Sequence, residues 1–381
     1  MRFPKISLGL EWNELKKFER LELKEKSIVF YAENKASFNH FKLLIEELTN
    51  NMNLTVCYVT SIKDDKIFEA ENKKIYSFYI GDGTARTKFF LTLKAKILVM
   101  DMPDLDKYHV KRSKVYPVHY VYLFHSIFSV HSYLRNGALD NYDTIFCVGQ
   151  HHIDEIREIE KKYSIKQKIL VNYGFGQLDW LLGEVKKFRN NEKIHDKELI
   201  IIAPSYGEKN LLEVCGIELI DILLRSDFKV ILRPHFRILR DSKELIKSIR
   251  TKFKNNSNFL FEEGVIKPED FHSSKCMITD WSGIGLDYAF TCENKVMFID
   301  VPKKIMNDEH QSIPLEPIEI AIREKIGYVI SPKDLGNIPK LIKKNDNKID
   351  GIEEIRSQTV FNVGKSARIG AEYIQKINMD D

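Results

Sequence analysis

Two stretches, Phe228-Lys229-Val230-Ile231-Leu232-Arg233-Pro234-His235 and Cys276-Met277-Ile278-Thr279-Asp280-Trp281-Ser282-Gly283-Ile284-Gly285-Leu286-Asp287, decide how this chain folds. Each begins as a short unbroken apolar run, the mark of a strand covered on both faces. Each then breaks into a turn. Pro234 cannot donate to a ladder and holds its neighbour extended, so the first strand ends near Leu232. Ser282 is a natural helix N-cap, and Gly283 and Gly285 allow close backbone approach. In an open parallel sheet the carboxyl ends of strands line one crevice, where phosphate-bearing ligands bind.

Working outward, strand and helix patterns alternate in two blocks. The first block has apolar strand-like runs at Ser27 to Ala32, Leu54 to Thr60, Lys74 to Ile80, Ala95 to Met100, Val118 to Phe124, Thr144 to Val148 and Lys168 to Val171. Helical patterns run over Phe38 to Thr49, Thr87 to Lys94 and Gln150 to Lys162, with a short one near Leu178 to Leu182. Glu184 to Glu198 is mostly polar or charged and reads as a linker. The alternation then restarts, with strands at Leu199 to Ala203, Phe228 to Leu232, Phe259 to Phe261, Cys276 to Thr279, Lys295 to Ile299 and Tyr328 to Ile330. Helices are expected at Leu211 to Leu224 and Ser242 to Phe253, and two more close the chain near Gly351 to Gln358 and Ser366 to Ile377. Strands separated by helices imply right-handed crossovers and parallel sheets. The expected class is α/β and GT-B-like: two doubly wound Rossmann-type domains, residues 1–183 and 199–381, joined by the linker 184–198 and facing a central cleft, an arrangement that the pattern alone does not separate from other two-domain α/β proteins.

The composition agrees. With 381 residues, 43% hydrophobic and 30% charged, the chain can bury a large core and is not of the disordered class. A net charge of +4 gives no argument for nucleic acid, and none is expected as a partner. Lys107, Lys111, Arg112 and Lys114 form a local basic cluster, read as a solvated loop or as a face toward an anionic acceptor or membrane. No apolar run approaches a bilayer span, and the charged N-terminus lacks a signal-peptide core. The expected location is cytoplasmic, with peripheral attachment at the inner membrane face as the extension. Cys57, Cys147, Cys215, Cys276 and Cys292 are odd in number, widely spaced and without a CxxC pair, which predicts buried free thiols.

The strand ends carry the chemistry. Arg233 has a fork of donors suited to phosphate oxygens, and His235 can donate to phosphate or shuttle a proton. Alternatively, Arg233 pairs with a carboxylate. Thr279, Asp280, Ser282, Gly283 and Asp287 surround a helix start whose N–H groups would face an anion. Asp280 and Asp287, which would repel a phosphate, are expected to hold ribose hydroxyls, orient an arginine or fix the turn. Ala203-Pro204-Ser205-Tyr206 ends the first strand of the second block, so Ser205 and Tyr206 join the same rim. In the first block, His125 follows the Val118 to Phe124 strand, where a general base for an acceptor hydroxyl could stand, with His131 as second candidate. Gly81-Asp82-Gly83 is an incomplete dinucleotide fingerprint, and Asp101-Met102-Pro103-Asp104 lacks the spacing of a metal-binding carboxylate pair. His151 and His152 are adjacent on a helix and diverge, so no metal or cofactor is expected.

These residues resemble the CDP-glycerol glycerophosphotransferases of teichoic-acid and capsule synthesis. Arg233-Pro234-His235 looks like the RPH motif of that family, and Thr279-Asp280-Trp281-Ser282-Gly283 through Asp287 like its TDYSSxxxD motif. Ala203-Pro204-Ser205-Tyr206 is similar to its APTY stretch, and Val121 to Ser126 resembles the region of its acceptor-side histidine. The resemblance implies a GT-B fold and transfer of glycerol phosphate from a CDP-linked donor to a hydroxyl of a glycan or lipid-linked acceptor, with loss of CMP. It implies His125 as base, His235 and Arg233 on the donor diphosphate, and the Ser282 to Gly285 helix start as phosphate site. Two positions depart from the family: its second serine is Gly283 here, and the glycine after its first histidine is Ser126. A GT-B enzyme using a nucleotide sugar, as glycosyltransferase or epimerase, is the alternative, and a non-catalytic protein that kept the fold is the third.

Overall fold

A computed structural model describes residues 9–188, 198–264, 267–344 and 348–379. The first sheet has seven strands, β1 (Ile28–Ala32), β2 (Val56–Thr60), β3 (Ile75–Tyr79), β4 (Ile97–Met100), β5 (His119–Leu123), β6 (Thr144–Cys147) and β7 (Ile169–Asn172), in the order β3-β2-β1-β4-β5-β6-β7. The second has six, β8 (Leu199–Ile202), β9 (Lys229–Leu232), β10 (Phe259–Phe261), β11 (Cys276–Thr279), β12 (Val296–Ile299) and β13 (Gly327–Ile330), in the order β10-β9-β8-β11-β12-β13. Every neighbouring pair is parallel, as Val29 opposite Cys57 and Ile202 opposite Leu232 exemplify. Strands such as β1, β2, β4 and β11 are buried along their whole length, because helices cover both faces of the sheets.

Both sheets are doubly wound. The chain moves from β1 outward to β3, then returns to place β4 on the other side of β1; β8 and β11 repeat this. These reversals are topological switch points, where the loops after adjacent strands diverge and leave a crevice at their carboxyl ends. In the second sheet the loops flanking that point start at Ala203 and Asp280, and in the first sheet at Glu33 and Asp101.

The strands lie where apolar continuity puts them, within a residue or two. Several helices were not expected from the pattern. Leu10–Arg20 lies in the charged N-terminal region and buries only Leu15 and Phe18, the latter edge-on to Phe78 and Phe89. The helix near Leu178 is longer than expected and runs over Gly176–Phe188. It therefore takes in the start of the expected linker, whose residues 189–197 lie outside the described residues.

The domain boundaries also differ from the sequence reading. One compact unit holds the described residues up to His125, Leu134–Asp179 and those from Thr359 on; the other holds Ser126–Tyr133 and Trp180–Gln358. The C-terminal helix Ser366–Met379 thus belongs with the first sheet. Its Ala371 and Ile374 are fully buried in the core of Phe30, Phe41, Val99, Val121 and Phe146, and the Tyr373 hydroxyl lies 2.7 Å from Thr144 Oγ1. A Cβ on Gly370 would sit 2.6 Å from Tyr173, so glycine lets this helix dock closely. Periodicity reveals an apolar face, and says nothing about which of two cores receives it. Ile374→Ala should lower stability by about 2–5 kcal/mol, the usual cost of an emptied aliphatic core site, read as a shifted midpoint in denaturant unfolding. An unchanged midpoint would show that the helix does not hold the first core together.

Candidate functional site

In the second unit the loops around the switch point are tied by side chains from β11. Thr279 Oγ1 donates to the Ala203 carbonyl at 2.6 Å. The Asp280 carboxylate, buried to 1% exposure, accepts the backbone N–H of Ser205 at 2.7 Å and of Leu211 at 2.9 Å. Of the roles open to Asp280 in the sequence, the geometry selects the turn. Thr279 and Asp280 hold the loop after β8, and with it the buried Ser205, rather than presenting their oxygens to a ligand.

Arg233, assigned to the donor phosphates from sequence, is directed elsewhere. Its guanidinium is buried and bonds to Glu262, which follows β10, and to Asp270 at 2.5 Å on the helix Pro268–Ser273. With Lys267 2.6 Å from Glu262, two carboxylates meet two cations, and the charge of Arg233 is balanced within the protein. The alternative noted from sequence, pairing with a carboxylate, is the one realised.

His235 fits its expected role better. It caps the helix Phe236–Asp241, with Nδ1 accepting the Arg237 N–H at 3.2 Å. In the neutral ring the proton therefore sits on Nε2, which makes that atom a donor suited to a phosphate oxygen. The ring lies 4.5 Å from those of Tyr206 and Phe236. Tyr206 also carries the Arg237 guanidinium at 4.5 Å and the Lys304 ammonium at 3.0 Å from its ring centre. Lys304 donates to the Tyr133 hydroxyl at 2.5 Å. Burial pulls its pKa down to about 7, with Asp280 opposing and Arg237 reinforcing the fall. Neither Arg237 nor Lys304 stood out in the sequence. Their positions did carry a signal, since Lys304 follows β12 just as Arg237 follows β9.

The helix Ile284–Cys292 is capped by the backbone of Gly283, without a side-chain cap. Ser282, expected to cap it, contributes only its carbonyl, which accepts from Gly285 at 3.2 Å. Asp287 is buried in the first turn. A Cβ on Gly283 would meet Ser126 Oγ at 2.0 Å. The two departures from the family pattern are therefore one packing event: position 283 gives up its side chain where Ser126 brings a hydroxyl in.

In the first unit, His125 follows β5 and hydrogen-bonds the Asp101 backbone. Asp101 ends β4. Its carboxylate accepts from Ser37 Oγ at 3.1 Å and lies 2.7 Å from His40 Nδ1, all three being buried. The His40 ring is 5.9 Å from that of His125. Burial and the neighbouring His40 lower the His125 pKa to about 4, against the pull of Asp101. His125 is thus neutral, with a basic nitrogen, near pH 7. Asp101 and His40 were missed, the former set aside for lacking a metal-site spacing; its place at a strand end was the usable signal.

Other candidates recede. His131 is buried in the second unit, its Nδ1 3.0 Å from Ser129 Oγ. His152 is buried and its Nδ1 accepts the Val148 N–H. The basic cluster mostly folds its own loop: Lys107 and Lys111 donate to backbone carbonyls, and Arg112 reaches the Asn141 carbonyl and Asp143. All five cysteines are buried and free. Among the described residues, no group of histidine, cysteine or acidic side chains is arranged to hold a metal ion, and no helix is long and apolar enough to cross a membrane.

A family model described as CDP-Glycerol:Poly(glycerophosphate) glycerophosphotransferase matches residues 15–300. A search of curated proteins found no match. Among solved structures, the wall teichoic acid polymerase TagF is similar at 14% identity, over 97% of this chain and 94% of that one, with a TM-score of 0.60. UDP-GlcNAc 2-epimerase from Methanocaldococcus jannaschii is similar at 14% identity, over 92% and 99%, with a TM-score of 0.58. The Neisseria meningitidis enzyme gives 12% identity over the same shares, also at 0.58. At such identities the likeness is one of fold, the GT-B class. Gly283→Ser must turn the Ser126 hydroxyl out of its place and should lower the melting temperature by about 2–4 °C, the effect of roughly 1 kcal/mol, and adding Ser126→Gly should restore it. Equal melting of the single and double variants would refute the shared packing.

Proposed function

The chain belongs to the CDP-glycerol:poly(glycerophosphate) glycerophosphotransferase family, and we propose that it moves glycerol phosphate from CDP-glycerol to a glycan hydroxyl with His125 as base and His235 on the donor. The observation that carries this reading is His125 at the end of β5, held neutral by burial and oriented by Asp101. A base at neutral pH must have a lone pair to offer; burial keeps one on His125 by lowering its pKa to about 4, which also makes it a weaker base than a histidine matched to the working pH.

In this proposal the acceptor oxygen attacks the phosphorus that bears glycerol. The bond from that phosphorus to the bridging oxygen breaks, and CMP leaves with the electron pair. The acceptor proton passes to His125. Charge grows on the bridging oxygen and on the phosphoryl oxygens. The Nε2–H of His235 and the N–H groups at the start of the helix Ile284–Cys292 are suited to stabilise it, as fixed donors that need no reorganisation. Tyr206, whose ring carries His235, belongs to the same donor rim.

The epimerase likeness speaks for the shared fold, and donor choice separates the readings, since a sugar-nucleotide enzyme would turn over a UDP compound. Peripheral membrane attachment is a further part of the proposal, supported only by the lipid-linked acceptors that such chemistry uses; protein found wholly in the soluble fraction at low salt would refute it.

His125→Ala and His235→Ala should each reduce CMP release from CDP-glycerol by at least about 100-fold, the range of a lost general base or charge-stabilising donor. Full activity in both would sink the assignment. The sign of the pH effect follows from the lowered pKa. His125 is neutral above about 4 and protonated below, so kcat/KM should hold as pH falls from 6.5 to 5 and drop only as it nears 4. An acid limb at the ordinary histidine value, removed by the His125 substitution, would contradict the buried base.

A further inference from the structure

We propose that Lys304 and Arg237, both set against the Tyr206 ring, bind the diphosphate of the nucleotide donor, in the place the sequence reserved for Arg233. The inference rests on the donor reading above and names the cations that serve it. Its starting point is charge balance at the strand ends of the second sheet. Arg233 is neutralised by Glu262 and Asp270. Arg323 bonds to Asp300 at 3.2 Å and stacks on Trp281 at 3.9 Å. Lys304 and Arg237 differ: among the described residues neither forms an ion pair with a carboxylate within 4 Å. Their contacts are the faces of Tyr206 and, for Lys304, Tyr133 and its hydroxyl.

Two cations on one ring repel each other, and burial of one adds to the cost. Aromatic faces offset part of this. An anion offsets the rest, and it would arrive where ligands enter a doubly wound sheet, at the carboxyl ends of β8, β9 and β12. The chemistry matches a diphosphate diester, which carries one negative charge on each phosphorus. Arg237 offers a planar fork and Lys304 a point charge, while His235, on the same ring, offers its Nε2–H. Lys304 also lines a cavity of about 210 Å³ with Lys303, Trp281, His131 and Glu319, which gives room for a part of the donor.

The groups that face Lys304 are Tyr133, Tyr206, Asp280 and Arg237, with His131, His310, Lys303 and Glu319 around the cavity. Since burial brings its pKa to about 7, binding should weaken as pH rises through that value in the free protein. Arginine at 304 would stay charged and remove that loss, whereas a loss that came from any other group would persist in such a variant.

The experiment is calorimetric titration of the full chain and its Lys304→Met, Lys304→Arg and Arg237→Met variants with CDP-glycerol, UDP-N-acetylglucosamine and inorganic pyrophosphate, at pH 6.5 and 9. Each methionine variant should bind the preferred nucleotide about tenfold or more weakly, the loss of one charge-assisted contact. Lys304→Arg should bind it at pH 9 better than the wild type does. Methionine variants that bind both nucleotide and pyrophosphate as tightly as wild type would overturn the pair, as would a wild-type protein that binds none of the three. Preference for the UDP compound would overturn the CDP-glycerol reading while the variants still tested the pair on that ligand. If Lys304→Met fails to fold, Arg237→Met and Lys304→Arg decide the question.

Discussion

One buried carboxylate organises the second sheet of this molecule. Asp280 has left water entirely and holds two backbone N–H groups, of Ser205 and Leu211, across the switch point between β8 and β11. Bonds to a charged acceptor contribute about 1.5–3 kcal/mol each, and their loss would leave the charge buried without compensation. The loop after β8 is therefore fixed, and Tyr206 with it. Around that ring stand His235 beside it and Arg237 and Lys304 against it.

Charge bookkeeping separates scaffold from function in both units. Asp280 and Arg233 are both buried charges of the motif stretches, and both are satisfied within the protein. Low-dielectric burial demands that. His125 is treated differently. Burial and the neighbouring His40 keep it neutral, while Asp101 engages His40 and Ser37 with its carboxylate and meets His125 through its backbone. A neutral imidazole can accept a proton; an ion-paired one would already hold it.

Much of this was legible in the chain before folding. The strands were, since a run such as Ile97–Met100 has few other ways to be buried, and the parallel order followed from the helices between them. The strand-end rule located His125, His235 and Tyr206. It also passed over Asp101 and Lys304, which obey the same rule but sit in stretches without a recognisable phrase. The ion pairs of Arg233 were hidden for the opposite reason: its phrase was recognisable, and its partners Glu262 and Asp270 lie on a later strand end and helix that no local pattern links to it.

The sequence by itself determined the strands, the two parallel sheets and the family to which the motifs point, because periodicity and turn chemistry act over a few residues. The tertiary structure alone decided which groups meet. It sent the helix Ser366–Met379 to the first core and Ser126–Tyr133 to the second unit. It set Ser126 against Gly283, and it left Arg237 and Lys304 together on Tyr206 while neutralising Arg233. Those outcomes depend on side chains far apart in the chain competing for the same buried partners, and only packing settles such a competition.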